Sequence, residues 1–306
     1  MAGREWPPAE RALLLRLVQE GRTPFQCFED FQSAQIDRTQ KAIARHIQEG
    51  QRLRPDLWHA QVQPSKAPLL LNHIVWESNR TLCIFDPHCP FHDAVWLNRL
   101  VSLSISLAVD TCIIGGDLVD NNALSPFEKQ QGITLVDEIE SAQQLIRMLA
   151  RSFKKVLFIA GNHDLRVTKK LDWAIPLQND LEKFIEADVD NATASDYRWM
   201  ELRNGGETYR IVHPKNSSVN SPLVPRKLAS KYHCHIVGGH GHTVGLSRDD
   251  SNWYWAIDAG VTNDPRKISY VTKEMSIRPM VMQGAVLILD GIPVLLTPQN
   301  ILLYES

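Results

Sequence analysis

Apolar positions along the 306-residue chain fall into two textures. In residues 1–54 they recur at helical spacing only. Leu13, Leu14, Leu17 and Val18 share one face until Gly21 ends the pattern. Phe25, Phe28 and Phe31 supply a second apolar face. A third segment starts at Asp37, an N-cap candidate with Gln40 three residues on and Ile43 and Ile47 on one side. Residues 55–79 carry three prolines and little periodicity, which predicts a linker. From residue 80 short aliphatic runs take over, at 81–85, 111–115, 155–160, 209–213, 235–239, 253–258, 285–289 and 293–297. Between the early ones lie helical patterns, notably Leu135 to Leu149. Strand-helix alternation followed by consecutive strands predicts an α/β layered fold over 80–306, two packed β-sheets flanked by helices, behind a small all-α N-terminal domain.

Composition narrows the classes. The formal net charge is −2, so no global asymmetry points to nucleic acid or membrane, and any such site must be local. Five cysteines, scattered and odd in number, suit reduced thiols better than a disulfide framework. The opening "MAGREWPPAERALLLRL" carries Arg, Glu and two Pro where a secretory signal needs an apolar core, and no apolar run is long enough to span a bilayer. A cytoplasmic protein is expected. The three N-terminal helices resemble a helix-turn-helix or Myb-like module whose last helix, "DRTQKAIARHI", would read DNA with Arg38, Lys41 and Arg45 facing outward. Against this, residues 1–54 hold nine basic and seven acidic residues, a net of only +2, and the helices equally suit a cap or an oligomerisation module.

The strand ends carry the chemistry. "TLCIF" runs into Asp86-Pro-His88, "TCIIG" into Gly116-Asp117, and "KVLFIA" into Gly161-Asn162-His163-Asp164. "YRIV" ends at His213 and "HIVGG" at His240-Gly-His242. In α/β folds sites are built at the carboxyl ends of strands. Asp86, Asp117, His88, His213, His240, His242 and Asn162 form an oxygen and nitrogen donor set without thiolate. That set suits Mn, Fe, Zn or Ni. Seven donors are too many for one tetrahedral ion and suit two ions sharing a carboxylate. The residual positive charge would attract a phosphate ester.

"DPH", "GDLVD", "GNHD", His213 and "GHGH" resemble, in order, the five signature motifs of the calcineurin-like metallophosphoesterase superfamily over about residues 80–260. The resemblance implies two divalent metal ions, Mn²⁺ by preference. Asp86, His88, Asp117 and His242 would hold one, and Asp117, Asn162, His213 and His240 the other. It implies hydrolysis by metal-activated hydroxide, with His163 serving the leaving oxygen and Asp164 orienting its ring. Arg166 would reach a substrate phosphate. "GDLVDNN" and "GNHD" depart from the Ser/Thr protein phosphatases of the superfamily, and "DPHCPFHD", "DNNALSPFEK" and "GNHDLR" are more similar to its phage and bacterial members. His92 and Asp93 are read as opening a helix, and His233 and His235 as structural. A phosphodiesterase or nuclease is expected. A phosphomonoesterase or phosphoprotein phosphatase, or a DNA-binding scaffold with an inactive phosphoesterase domain, are the alternatives.

Overall fold

A computed structural model describes residues 6–54, 58, 73–125, 132–170, 189–268 and 280–304. The chain divides into two compact units, Met1–Leu71 and Asn72–Ser306.

The first unit holds α1 (Pro8–Gln19), α2 (Pro24–Ser33) and α3 (Gln40–Leu53). Thr23 and Gln26 form a reciprocal capping box on α2, so two backbone donors that the helix itself cannot use are satisfied. Leu14, Leu17, Val18, Cys27, Phe31, Ile43, Ile47 and Trp58 close the core. Several expectations change here. The N-cap of α3 is Thr39, whose hydroxyl accepts from the Ala42 amide, and Asp37 lies outside the helix. Phe25 is exposed, and Cys27 takes the core position instead. Arg38 does not face outward. It is buried, its Nε donates to Glu10 Oε2 at 2.7 Å, and its guanidinium lies 4.4 Å from the Trp6 ring centroid. Lys41 and Arg45 are exposed on α3.

The second unit is layered. One sheet contains β2 (Arg80–Ile84), β3 (Thr111–Ile114), β4 (Lys155–Ile159), β5 (Ala192–Ser195), β11 (Ala285–Leu289) and β12 (Ile292–Leu296), in the order β12-β11-β2-β3-β4-β5. The other contains β1 (Val75–Glu77), β6 (Trp199–Asn204), β7 (Glu207–Val212), β8 (His235–Gly238), β9 (Val244–Arg248) and β10 (Trp255–Ala259), in the order β1-β6-β7-β8-β10-β9. α4 (Ala94–Ser106) and α5 (Leu135–Ser152) cover the first sheet, and α7 (Leu223–Tyr232) covers the second; the short α6 (Arg166–Lys170) follows β4. The period of two explains the layers. Leu82, Ile84, Cys112, Ile114, Val156 and Phe158 face the helices. Their alternates Cys83, Phe85, Ile113, Leu157 and Ile159 meet Met200, Leu202, Tyr209, Ile211 and Val237 between the sheets. Each such side chain contributes about 1.5–3 kcal/mol by leaving water.

β1 falls inside the segment read as a linker, and so does Trp58, which packs in the first unit. β1 is only three residues long and pairs in parallel with β6, so its signal is tertiary rather than local. β5, β6 and β9 were likewise not anticipated. β6 alternates between buried and more exposed positions, and β9 is an edge strand with Gly245 as its second residue. Residues 55–57 and 59–72 of that linker lie outside the described residues. Among the described residues, no helix is long and apolar enough to cross a membrane.

Breaking the Arg38–Glu10 pair leaves a half-buried carboxylate uncompensated, which costs about 3 kcal/mol. In the full chain, Arg38→Ala is expected to lower hydrogen-exchange protection across residues 8–53 by about that amount, while Lys41→Ala changes it by no more than about 0.5 kcal/mol.

Candidate metal centre

Five strand ends meet. β2, β3 and β4 run parallel in one sheet, and β7 and β8 run parallel in the other, so their carboxyl ends share one side of the layers. The loops they feed are held in costly conformations. Asp86, His88, Asp117, Asn121, His240 and His242 all have φ between 48° and 68°, the left-handed region that non-glycine residues avoid. Cross-loop bonds impose it. His88 N donates to Asp117 O at 3.0 Å, His163 N to Asp117 Oδ1 at 2.7 Å, and His240 N to Asp86 Oδ2 at 2.9 Å. Gly161 has to be glycine, because a Cβ there would run into the Asp117 carboxylate and backbone nitrogen.

The side chains assemble into overlapping groups of donors lying within 4.8 Å of one another: Asp86, His88 and His242; His88, Asp117 and His163; Asp117, His213 and His240. Asp117 thus adjoins both ends of the cluster. Asn162 joins through its amide oxygen, 3.0 Å from His213 Nε2. The donor set fits divalent metal on one test above all. Among the described residues, Asp86 Oδ1, His88 Nε2 and Asp117 Oδ2 are sealed from solvent and have no hydrogen-bond partner. Buried polar atoms are nearly always paired, so three such atoms converging on one place fit a divalent cation there. Tautomers agree. His88 Nδ1 faces the Asp120 carboxylate at 2.9 Å and His213 Nδ1 donates to the Gly115 carbonyl at 3.1 Å, which leaves each Nε2 lone pair aimed inward.

Burial pushes Asp86 up to about 6, against the pull of His213, and the nearby Asp117 pushes it further. Burial would raise Asp117 too, but His213, His163 and His88 outweigh it and hold that carboxyl well below the ordinary range. His240 is lowered to about 4, first by burial and then by repulsion from His213. His242 is lowered well below the ordinary value, by burial and then His88. Both are therefore neutral near pH 7, the form that ligates metal.

The structure reassigns the partners of His163. Asp164 does not orient its ring: the Asp164 carboxylate accepts from the Val119 and Gly161 amides, at 3.1 and 2.7 Å, beneath the loops. Asp120 takes that place. His163 Nδ1 donates to the Asp120 carbonyl at 2.8 Å and lies 3.0 Å from its carboxylate, which also faces His88. The second Asp of "GDLVD" was the available signal. Arg166 Nη1 donates to the same carbonyl at 2.8 Å, and Nη2 donates to His163 Nε2 at 3.0 Å. Asp93 caps α4 by accepting from the Val95 and Trp96 amides, and His235 faces Glu207 at 3.2 Å, each apart from the cluster. Arg38, Lys41 and Arg45 belong to the other unit. Sequence reasoning also missed Glu138. This fully buried residue of α5 accepts from the Asn122 amide at 2.8 Å, so a second carboxyl supports the loop bearing Asp117 and Asp120.

The profile of the family described as Calcineurin-like phosphoesterase matches residues 80–258, more than half of the chain. No curated protein matches significantly. Among solved structures, Vps29 of Chaetomium thermophilum is similar at 11% identity over 69% of this chain and 84% of that one, with a TM-score of 0.41. Vacuolar Protein Sorting 29 of Cryptosporidium parvum aligns at 14% identity over 71% and 95%, with a TM-score of 0.36. The nuclease MPE of Pseudomonas putida aligns at 16% identity over 71% and 87%, with a TM-score of 0.33.

Burial raises the Glu138 carboxyl to about 7, above its ordinary 4.5, so the folded state favours its proton. Its contribution to stability is complete below pH 4.5 and is lost as pH climbs through 7. The thermal midpoint of Glu138→Gln, which keeps an acceptor for Asn122 and cannot ionise, should therefore gain on the parent protein between pH 4.5 and 7.5. A constant gap in paired melts would contradict a raised carboxyl.

Proposed function

Because the chain belongs to the calcineurin-like phosphoesterase family, we propose that it is a dinuclear-metal-dependent phosphoester hydrolase acting on phosphodiesters of nucleic acid. The observation that carries the hydrolase reading is the convergence of the orphaned Asp86, His88 and Asp117 atoms. Asp86, His88, Asp117 and His242 would hold one divalent ion, and Asp117, Asn162, His213 and His240 the other. Mn²⁺ is the preferred ion, with Fe, Zn or Ni compatible with the same donors. Such ions supply Lewis acidity toward a phosphoryl oxygen and toward the attacking water.

The protein's own groups do the rest. The loops hold the ligand side chains in place before substrate arrives, at the cost of left-handed backbone, so little reorganisation is left for the reaction. Asp120 fixes the ring of His163, with Nδ1 committed to a carbonyl and Nε2 left on the side of the cluster. Guanidinium groups only donate, so the Arg166 contact requires an unprotonated Nε2. Arg166 would turn to an incoming phosphate, freeing Nε2 to take up a proton from solvent and pass it to the leaving oxygen. Asp164 would act at one remove, by holding the loops that bear Asp117 and Asn162.

The preference for nucleic acid rests on the first unit. α3 presents Lys41 and Arg45 one turn apart, with exposed Arg52 beyond them, as a helix placed against phosphates would. Arg38 drops out of that set. The motif wording resembles the phage and bacterial members of the superfamily, and five buried free cysteines suit a reducing cytoplasm, the host's if the protein is of phage origin.

With Mn²⁺ added, bis-p-nitrophenyl phosphate should be hydrolysed in preference to p-nitrophenyl phosphate, and chelation should abolish turnover. Asp117→Asn should lose both ions by metal analysis and be the most damaging ligand change. His163→Ala should keep its metal while kcat falls about 10²–10⁴-fold, and less for good leaving groups. Metal lost from His163→Ala would make that residue a ligand.

Neutralising Lys41 and Arg45 together should reduce the slope of log K against log salt on duplex DNA by about 0.9 for each contact removed. Turnover of small chromogenic esters should be unaffected. An unchanged slope would leave the first unit without a nucleic-acid role.

A further inference from the structure

A half-buried arginine with no counter-ion among the described residues stands beside the centre. Arg198 lies on the segment that crosses from β5 in one sheet to β6 in the other. Both ligand-bearing sides hold that segment. The Ala160 amide, just before Gly161-Asn162, donates to Tyr197 O at 3.0 Å, and the His213 amide donates to Arg198 O at 2.8 Å. The guanidinium Nη2 donates to the carbonyl of Pro214, the residue after His213, at 3.1 Å. Nε is sealed from solvent and has no hydrogen-bond partner among the described residues.

Burial of an unpaired cation is unfavourable. Beyond the Pro214 carbonyl, the charges that act on it through space are those of Asp117, Asp164 and Asp86. Two of these are the carboxylates that would hold the ions, so metal binding would consume the charge that makes Arg198 tolerable. The remaining need is for an anion. A planar guanidinium with free donors matches a phosphoryl group, whose oxygens accept at the same spacing.

We propose that Arg198 binds a non-reacting oxygen of the substrate phosphate on the His213 side of the centre, opposite in role to Arg166 beside His163. This rests on the phosphoester hydrolase reading. It adds a phosphate-binding residue outside the strand-end motifs, which the sequence did not single out.

Arg198→Gln is the decisive variant, because glutamine can still donate to Pro214 O but carries no charge. The probe is inorganic phosphate, titrated by calorimetry into the Mn²⁺-loaded full chain and used as an inhibitor of bis-p-nitrophenyl phosphate hydrolysis. Phosphate Kd, Ki and substrate KM should all rise roughly 10- to 100-fold, the span of a lost charge-assisted hydrogen bond. Metal content and thermal midpoint should hold, and kcat should change less than KM. Arg198→Lys should recover part of the loss, and it decides the matter if Arg198→Gln does not fold. Phosphate affinity within twofold of the parent, with metal retained, would reduce Arg198 to a support for the His213 loop. Weakened phosphate binding accompanied by metal loss would do the same. A parent protein that neither hydrolyses the diester nor binds phosphate would instead overturn the hydrolase reading itself, and Arg198 with it.

Discussion

A carboxylate with nowhere to put its charge organises the second unit. Asp117 is buried, its Oδ1 accepts the His163 amide, and its Oδ2 has no hydrogen-bond partner while lying 3.4 Å from His213 Nε2 and 3.8 Å from His88 Nε2. Desolvating an anion is among the most expensive things a fold does, and it persists only where something positive is due to arrive. Much of the neighbourhood reads as accommodation of this group. Gly161 leaves room for it, Gly116 takes φ +104° to admit the turn that presents it, and imidazoles from four other strand ends surround it.

The layered architecture makes such a site affordable. Parallel strands deliver successive loops to one side, and sheets with alternating faces bury one core between themselves and another against the helices. The two apolar layers stabilise the strands strongly enough to hold six non-glycine residues in left-handed backbone at the loops. Loops without that support would relax. The buried carboxyls Asp164 and Glu138 extend the support, each accepting backbone amides of the segment from Asp117 to Asn122.

Cations complete the picture at two scales. Arg166 and Arg198 adjoin the two sides of the cluster, the one bonded to His163 and the other to the residue after His213. In the separate helical unit, the ion pair of Arg38 with the half-buried Glu10 decides which charges stay at the surface. Arg38 is tied to Glu10 and stacked on Trp6, whereas Lys41 and Arg45 remain at the surface.

Local sequence determined most of the frame. The aliphatic runs that became β2, β3, β4, β8 and β11 are short, apolar and punctuated, and burial on both faces leaves that mark in any context. Clustering of Asp, His and Asn at five run ends was legible for the same reason, because position along a strand fixes which loop a residue enters. Partners were not legible. That Asp120 rather than Asp164 holds His163, that Arg38 turns inward, that Glu138 rather than Ile139 is the fully buried residue of that turn of α5, and that Arg198 comes to lie beside His213 all depend on contacts between segments distant in sequence. β1 and β9 are strands only because a neighbouring strand offers them a ladder. The sequence by itself determined which residues stand at the strand ends and hence the donor set. Tertiary structure alone decided which charges face one another, because desolvation and pairing are set by what packs across the fold.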